Sequence, residues 1–341
     1  MRAVFGIFGG ILALSLCGCG EPVSSAAGAP EQEPESVRLG YFANVTHAQA
    51  VLGVANGTFQ EALGAVKLKP LVFNAGPSAV EALFAGELDL AYIGPGPAAT
   101  AFIRSHGEAV RVIAGAAANG VAIVVRKDAG IAKLEDLKGK LIATPQYGNT
   151  QDISARAFIK YTLHDKSKQD GGTTDLQAIA NAEQLGLFKQ KQLDASWAPE
   201  PWAARLVQDG NCVLLEEERN LWPEKRFAIT VLVVNKRFLD AHPRTVERLL
   251  RAHLKLTSAL HVCQAAYIDA LNNEFKRLLG KPLDRRVLSV ALSHVEFTTD
   301  PLQASVQRFS DWSAELGMTS EKVDLKPLFD LTILERLKKQ P

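Results

Sequence analysis

Short apolar runs alternate with amphipathic stretches along the chain from Val37 to about Asn235. Short apolar, β-branched runs separated by helical segments are typical of an α/β fold with a largely parallel sheet. The pattern predicts ten strands: Val37–Phe42, Val66–Phe73, Leu88–Ile93, Val110–Ala114, Val121–Arg126, Leu141–Thr144, Leu176–Ile179, Leu193–Trp197, Cys212–Glu216 and Phe227–Asn235.

The pattern changes past Asn235, where nearly every segment has helical periodicity. We predict helices from Pro243 to about Leu279, from Asp284 to His294 and from Pro301 to Leu316. Apolar residues spaced three to four apart along the first of these indicate one buried stripe on a long helix. The C-terminal part of the chain is therefore predicted to be a helical region.

One stretch of sequence is echoed about a hundred residues later. Residues 83–97 and 187–201 both read as a helix end, a tight turn, a Leu-Asp pair opening a strand, and a Pro-x-Pro loop. Two such units favour two lobes of similar build. Chance similarity between common helix–strand–helix connections is the alternative explanation.

The N-terminus has the features of an export signal. One positive charge, Arg2, precedes an apolar run that is too short to span a membrane permanently. The following Leu16-Cys17-Gly18-Cys19 resembles a bacterial lipobox, so we predict a signal peptide over residues 1–18 and a lipid on Cys19. An ordinary signal peptide that contains cysteine is the alternative. Residues 19–36 are small, polar and proline-punctuated, which predicts a flexible tether between the lipid and the fold.

Charge and cysteine content narrow the class of protein. The formal net charge is +1, and a nucleic-acid partner would require a strongly basic face. Cys212 and Cys263 lie outside the export segment, and an exported protein can oxidise such a pair. Two separately buried thiols are an equally good interpretation, so their pairing stays open.

Ligands of open α/β sheets gather where strands end and helices begin, and two of the four polar segments at such positions follow early strands. Asn44, Thr46 and His47 follow the first strand; Thr46 is also a natural helix N-cap. Residues 94–99 formally match a dinucleotide fingerprint, but the motif belongs after the first strand. Backbone N–H groups around Gly94, Pro95 and Gly96 that face an anion or polar solute fit better.

The other two segments follow later strands. Residues 144–152 are rich in donors, and we select Gln146, Tyr147, Asn149 and Thr150 as ligand contacts, although capping also explains Asn149 and Thr150. Residues 197–202 place a carboxylate between two prolines and two indoles. Trp197 and Glu200 could receive a cationic or hydroxyl group, whereas Glu200 could equally stabilise the start of the next helix.

The sequence offers no set of residues for chemistry. The motifs of serine hydrolases, zinc proteases and phosphate-binding loops are absent, and none of the seven histidines has metal-ligand spacing from another ligand type. We therefore expect neither an enzyme nor a cofactor or metal.

The motifs taken together resemble one family. The lipobox, the Val-Arg-Leu-Gly-Tyr opening at residues 37–41, residues 75–77, the Gly-Glu-Leu-Asp-Leu run at 86–90 and residues 193–202 resemble substrate-binding lipoproteins of ABC importers, of the aliphatic sulfonate, nitrate and taurine type. The likeness runs from about Val37 to Pro301.

The resemblance implies a two-lobed, type II periplasmic-binding fold with two hinge crossings. Lobe one would comprise residues 37–119 and 235–341, with the helical region packed on it, and lobe two residues 120–234. The crossings would lie near Gly120–Val124 and Ile229–Val233. A small solute would bind in the cleft and pass to permease and ATPase subunits, with the protein held at the membrane outside the cytoplasm.

The solute itself stays open at this stage. Thr46, Gly94, Gly96, Asn149 and Thr150 could supply the donors for an anionic head. A carboxylate from Glu200 in the cleft would instead favour a zwitterion or an amine, as in the pyrimidine-binding members of the wider superfamily. A sensor lipoprotein and an exported enzyme on the same fold are the competing functions.

Overall fold

The computed structural model describes residues 32–339, so the predicted signal peptide, Cys19 and most of the tether lie outside it. The described chain has two lobes, each organised around its own β-sheet. The first sheet has six strands in the order β11-β4-β10-β3-β1-β2, and the second has five in the order β7-β6-β8-β5-β9. The α/β, two-lobed type II fold is confirmed.

The strands form where the sequence is richest in apolar and β-branched residues, and most are buried on both faces. The first sheet contains β1 (Ser36–Phe42), β2 (Lys67–Phe73), β3 (Leu90–Ile93), β4 (Val110–Asn119), β10 (Ala228–Asn235) and β11 (Val295–Phe297). The second contains β5 (Val121–Arg126), β6 (Leu141–Thr144), β7 (Asp175–Ala178), β8 (Ala195–Pro199) and β9 (Cys212–Glu217).

The prediction of a largely parallel sheet is wrong. The pairs β1–β2, β1–β3, β6–β7 and β6–β8 are parallel, whereas β10 and β11 in the first sheet and β5 in the second pair antiparallel with their neighbours. The chain leaves one sheet and later returns to it, and the strands at these crossings run against their neighbours. Hydrophobic periodicity carries no information on strand direction.

Thirteen helices of the described chain cover the two sheets. They are α1 (Ala48–Ala55), α2 (Thr58–Leu63), α3 (Gly76–Phe84), α4 (Pro95–Arg104), α5 (Thr150–Tyr161), α6 (Asn181–Lys189), α7 (Trp202–Asp209), α8 (Lys236–Ala241), α9 (Pro243–Val262), α10 (Ile268–Leu279), α11 (Arg285–Ser293), α12 (Gln303–Glu315) and α13 (Thr332–Lys338).

The chain crosses between the sheets twice. The first crossing is Gly120, whose φ of 74° joins β4 directly to β5. A side chain there would also meet Val295, at 2.5 Å from its Cγ2. The second crossing spans residues 218–227, between β9 and β10. Residues 229–233, where we placed it, are instead paired with β3 and β4 inside the first sheet, because they extend a buried run that starts at Ala228.

The helical C-terminal region departs from the prediction in one respect. The predicted helix from Pro243 to Leu279 breaks at Cys263, whose φ of −152° and ψ of 81° are not helical. A straight helix of that length would extend about 55 Å, whereas the break lets α9 and α10 both pack against α1. Neither cysteine is paired: Cys212 is buried and Cys263 exposed.

The C-terminal region reaches both lobes. Helix α12 packs against α4 of the first lobe and α5 of the second, and α11 packs against α7. Within residues 32–339, no helix combines the length and the apolar character that crossing a membrane requires.

Candidate functional site

A small cavity lies where the two lobes face each other. Its volume is about 20 Å³, which is room for little more than one water molecule. The first lobe contributes Phe42, Asn44, Thr46, His47, Gly76, Gly94, Pro97 and Ile229, and the second contributes Asn149, Thr150, Gln151 and Pro199. We call this space the interlobe cavity.

Four helix starts meet at the interlobe cavity. Thr46 and His47 form the turn that leads into α1, Gly76 opens α3, Gly94 precedes α4, and Thr150 opens α5. The first N–H groups of a helix have no partner within the helix, and each helix start carries about half a positive charge. Although none of the lining residues is Asp, Glu, Lys or Arg, the backbone therefore makes the cavity electropositive.

The side-chain amide oxygens around the cavity already have partners within the protein. Asn44 Oδ1 accepts the indole N–H of Trp202 at 2.8 Å, across the lobes. Gln151 Oε1 accepts from the amide of Asn149 at 3.0 Å. The amide NH₂ groups of Asn44 and Gln151 remain as donors, since an amide has one oxygen and one NH₂.

The acceptor nitrogen of the His47 ring also has a partner within the protein. The side chain is 2% exposed, and burial lowers its pKa to about 3, so the ring is neutral at physiological pH. Its Nδ1 accepts the backbone N–H of Phe42 at 3.4 Å. The proton of the neutral ring is then on Nε2, which makes that atom a donor.

Thr150 supplies a fourth donor, and it is the best placed. Its hydroxyl is buried and has no hydrogen-bond partner within the protein. A Cβ added to Gly94 would lie 2.1 Å from Thr150 Oγ1, so the hydroxyl of the second lobe sits directly against the backbone of the first. Only glycine at position 94 permits this approach.

The structure brings six of the twelve predicted contacts to the cavity. Two more, Pro95 and Gly96, lie in the first turn of α4 without lining it, and Gly96 packs against Ile153. Gln146 instead bonds Ser78 across the lobes at 3.0 Å. Tyr147 is 57% exposed and lies under the guanidinium of Arg156.

Trp197 and Glu200 do not reach the interlobe cavity, which corrects our placement of both. Trp197 donates its indole N–H to Glu218 at 2.5 Å. Glu200 Oε2 accepts the N–H of Ala204 in the first turn of α7, at 3.0 Å, and Oε1 lies 2.7 Å from Nδ1 of His294. Glu200 is thus observed at a helix start, and no carboxylate of the described chain lines the interlobe cavity.

Sequence reasoning missed Phe42, Gly76, Pro97, Gln151, Pro199 and Ile229. Four of these had a signal: Gly76 and Pro97 stand at helix starts, Gln151 lies within the donor-rich segment, and Pro199 belongs to the Pro-x-Pro loop of the second copy of the echo. Ile229 had none, because it belongs to a strand whose route back to the first lobe only the tertiary structure shows.

The curated relatives of similar sequence are named as binding proteins. The model of the NMT1-like family matches residues 30–271. The "Putative aliphatic sulfonates-binding protein" of Bacillus subtilis is 24% identical over 332 residues, which cover 94% of this chain and 92% of that protein. The taurine-binding periplasmic protein of Escherichia coli is 29% identical over 203 residues, 60% of each chain.

A solved structure shares the fold. The alkanesulfonate-binding protein SsuA of Xanthomonas axonopodis pv. citri, bound to MOPS, superposes with a TM-score of 0.72 at 23% identity. The match covers 88% of this chain and 99% of that one. This likeness concerns the fold and the arrangement of the two lobes.

Proposed function

This chain belongs to the NMT1-like family, and on that basis we propose that it is the extracytoplasmic solute-binding subunit of an ABC importer. It captures a small oxyanion in the interlobe cavity and delivers it to the permease. The favoured oxyanion is a sulfonate. The named relatives bind aliphatic sulfonates and taurine. They are binding proteins, and we propose no reaction for this chain.

One observation carries the choice of an anion. The side-chain acceptors of Asn44, His47 and Gln151 are taken by donors of the protein itself. Their N–H groups, the Thr150 hydroxyl and four helix starts then face the solute. A site whose amide and imidazole groups present only donors stabilises negative charge, and beside them, among the described side chains that line the cavity, only the threonine hydroxyls could accept a hydrogen bond from an ammonium group.

The position of Glu200 bears on the choice between a plain sulfonate and an amine-bearing solute. A zwitterion is favoured only if the Glu200 carboxylate faces the cleft. Both of its oxygens are instead bound to Ala204 and His294, which do not line the interlobe cavity. The ammonium of taurine would therefore find no counter-charge among the lining residues. We infer that unsubstituted sulfonates bind more tightly than taurine.

The small volume of the interlobe cavity limits how closely the two lobes can approach each other when a solute is bound. A sulfonate group has four non-hydrogen atoms, whereas the cavity holds about one water. Solute binding must therefore displace the direct contact between Gly94 and Thr150. We propose that the lobes close onto the solute at a slightly wider separation and that the permease recognises this form.

Thermal shift and calorimetry test the proposal. We expect methanesulfonate and ethanesulfonate to bind, nitrate to compete with them, and taurine to bind more weakly. A solute present at a hundred times its dissociation constant stabilises the protein by about 2.7 kcal/mol. Dimethyl sulfone, the neutral counterpart of methanesulfonate, is the matched control. Equal binding of the sulfone and the sulfonate, or no binding of any oxyanion, would refute an anion site.

A further inference from the structure

A second cavity lies at the junction of the lobes, away from the residues that line the interlobe cavity. Its volume is about 110 Å³. It is bounded by α5 of the second lobe, by the crossing segment 218–227 and by α12. We call it the hinge pocket, and the residues used below are Ser154, Phe158, Trp197, Glu218, Trp222 and Trp312.

The hinge pocket contains a buried carboxylate whose hydrogen-bond donors are all neutral. Glu218 is 1% exposed. Its oxygens accept from Ser154 Oγ at 2.6 Å, from the indole N–H of Trp197 at 2.5 Å and from that of Trp222 at 3.1 Å. Among the ion pairs of residues 32–339, none includes Glu218.

Burial without a neighbouring cation raises the pKa of Glu218, and its three hydrogen bonds only partly oppose that rise. A buried charge is stable when it is paired, and otherwise the group becomes neutral. Glu218 can therefore either take up a proton or accept a cation from outside the chain.

The remaining walls of the pocket suit an organic cation. Phe158 and Trp197 lie with their ring centroids 5.4 Å apart, and Trp222 and Trp312 at 4.9 Å. Aromatic rings attract cations at their faces, most strongly for indole, and rings around a pocket are the usual receptors of methylated ammonium groups. The volume is somewhat smaller than that of a cavity of about 150 Å³ that binds benzene, which suits a trimethylammonium group.

In the described part of the chain, Arg308 is the one basic residue that lines the pocket. Its exposed guanidinium lies 5.0 Å from the ring centroid of Trp312, so one ring of the pocket already attracts a cation. The indole N–H of Trp312 is buried and has no partner within the protein, which leaves one donor for a polar atom of a ligand.

We propose that the hinge pocket binds a small alkylammonium compound, with Glu218 as counter-ion and Trp197, Trp222 and Trp312 as ring contacts. The ligand would sit between α5 and α12 and so contact both lobes. This site does not depend on the identity of the solute in the interlobe cavity, since the two cavities share no lining residue.

Calorimetric titration of the full chain with choline tests the proposal, because choline carries a trimethylammonium group. The neutral isostere 3,3-dimethyl-1-butanol is the matched ligand and Glu218→Gln the matched variant. Tryptophan fluorescence gives a second readout, since three of the four tryptophans line the pocket. We expect saturable choline binding that is at least tenfold weaker in the variant, and binding of the alcohol at least tenfold weaker than that of choline.

Three results would overturn the proposal. Equal binding of choline and the alcohol would show an apolar cavity without charge selectivity. Equal binding of choline by the wild type and Glu218→Gln would place the cation elsewhere. No binding of choline would show that Glu218 is a structural core residue and not a counter-ion. Should Glu218→Gln fail to fold, Trp312→Leu replaces it, with the same tenfold loss expected. Sulfonate binding in either variant reports separately on the interlobe cavity.

Discussion

Replacing Thr150 by valine should change stability and solute affinity in opposite directions. Valine has nearly the shape of threonine but no hydroxyl, and the Thr150 hydroxyl is buried without a partner within the protein. A buried hydroxyl that lacks a partner costs about 1–3 kcal/mol. Removing the hydroxyl should therefore raise the free energy of unfolding of the solute-free protein. We expect a gain of about 1 kcal/mol, the lower end of that range, because neighbouring atoms can relax around the hydroxyl and reduce its cost.

The same variant should bind an oxyanion less tightly. A hydrogen bond to a charged group contributes about 1.5–3 kcal/mol, and each 1.4 kcal/mol is a factor of ten in the dissociation constant. Loss of the Thr150 hydroxyl should weaken sulfonate binding roughly 10- to 100-fold. Calorimetry with methanesulfonate measures the affinity, and urea unfolding without solute measures the stability.

Thr230 offers a matched control for this experiment. Its hydroxyl is also buried without a partner, but the residue does not line the interlobe cavity. Thr230→Val should stabilise the protein and leave the affinity unchanged. An unchanged affinity in Thr150→Val would show that the solute does not contact this hydroxyl. A loss of stability in Thr150→Val would show that the hydroxyl has a partner in the solute-free protein.

Three further predictions concern closure, pH and anchoring. Gly94→Ala should weaken solute binding at least tenfold, because Gly94 lines the interlobe cavity and the added methyl group would take up space that the solute needs; Gly186→Ala, whose methyl would meet nothing within 4 Å, should not, and equal affinities by calorimetry would contradict the placement of the solute beside Gly94. The hydrogen bond that His294 donates to Glu200 raises the pKa of His294, so the stability that this pair contributes should be complete below the ordinary histidine pKa of about 6.5 and decrease as pH rises through the raised value; unfolding of wild type and His294→Gln between pH 6 and 9 measures it, and a pH-independent difference would refute it. Cys19→Ser should release the protein from membranes on fractionation, whereas retention would argue against a lipid on Cys19.

The sequence located most of the elements but not all their connections. Eight of the ten predicted strands share at least four residues with an observed strand, because short apolar, β-branched runs such as residues 121–126 and 228–235 favour buried strands. The other two, Leu176–Ile179 and Leu193–Trp197, overlap β7 and β8 by three residues each. The three-residue strand β11 was missed, since so short a run carries no periodicity.

Some residues of the candidate site can likewise be predicted from the sequence, and others cannot. Asn44, His47, Gly94 and Thr150 were found because polar residues at strand-to-helix junctions follow a local rule. Trp197 and Glu200 satisfy that rule equally well, yet their side chains bond Glu218 and His294 instead. Both partners are distant in sequence, so no local pattern could reveal them.

The sequence by itself determined the order and kind of the elements, the helix starts and the polar residues at them, because these depend on neighbours a few positions away. Only the tertiary structure decided strand direction, the second crossing and the partners of the acceptor atoms. Those depend on contacts between the lobes, such as Asn44 with Trp202. That the amide and imidazole side chains offer only donors to the interlobe cavity follows from such contacts, because a side chain's free atoms are known only once its bound atoms are.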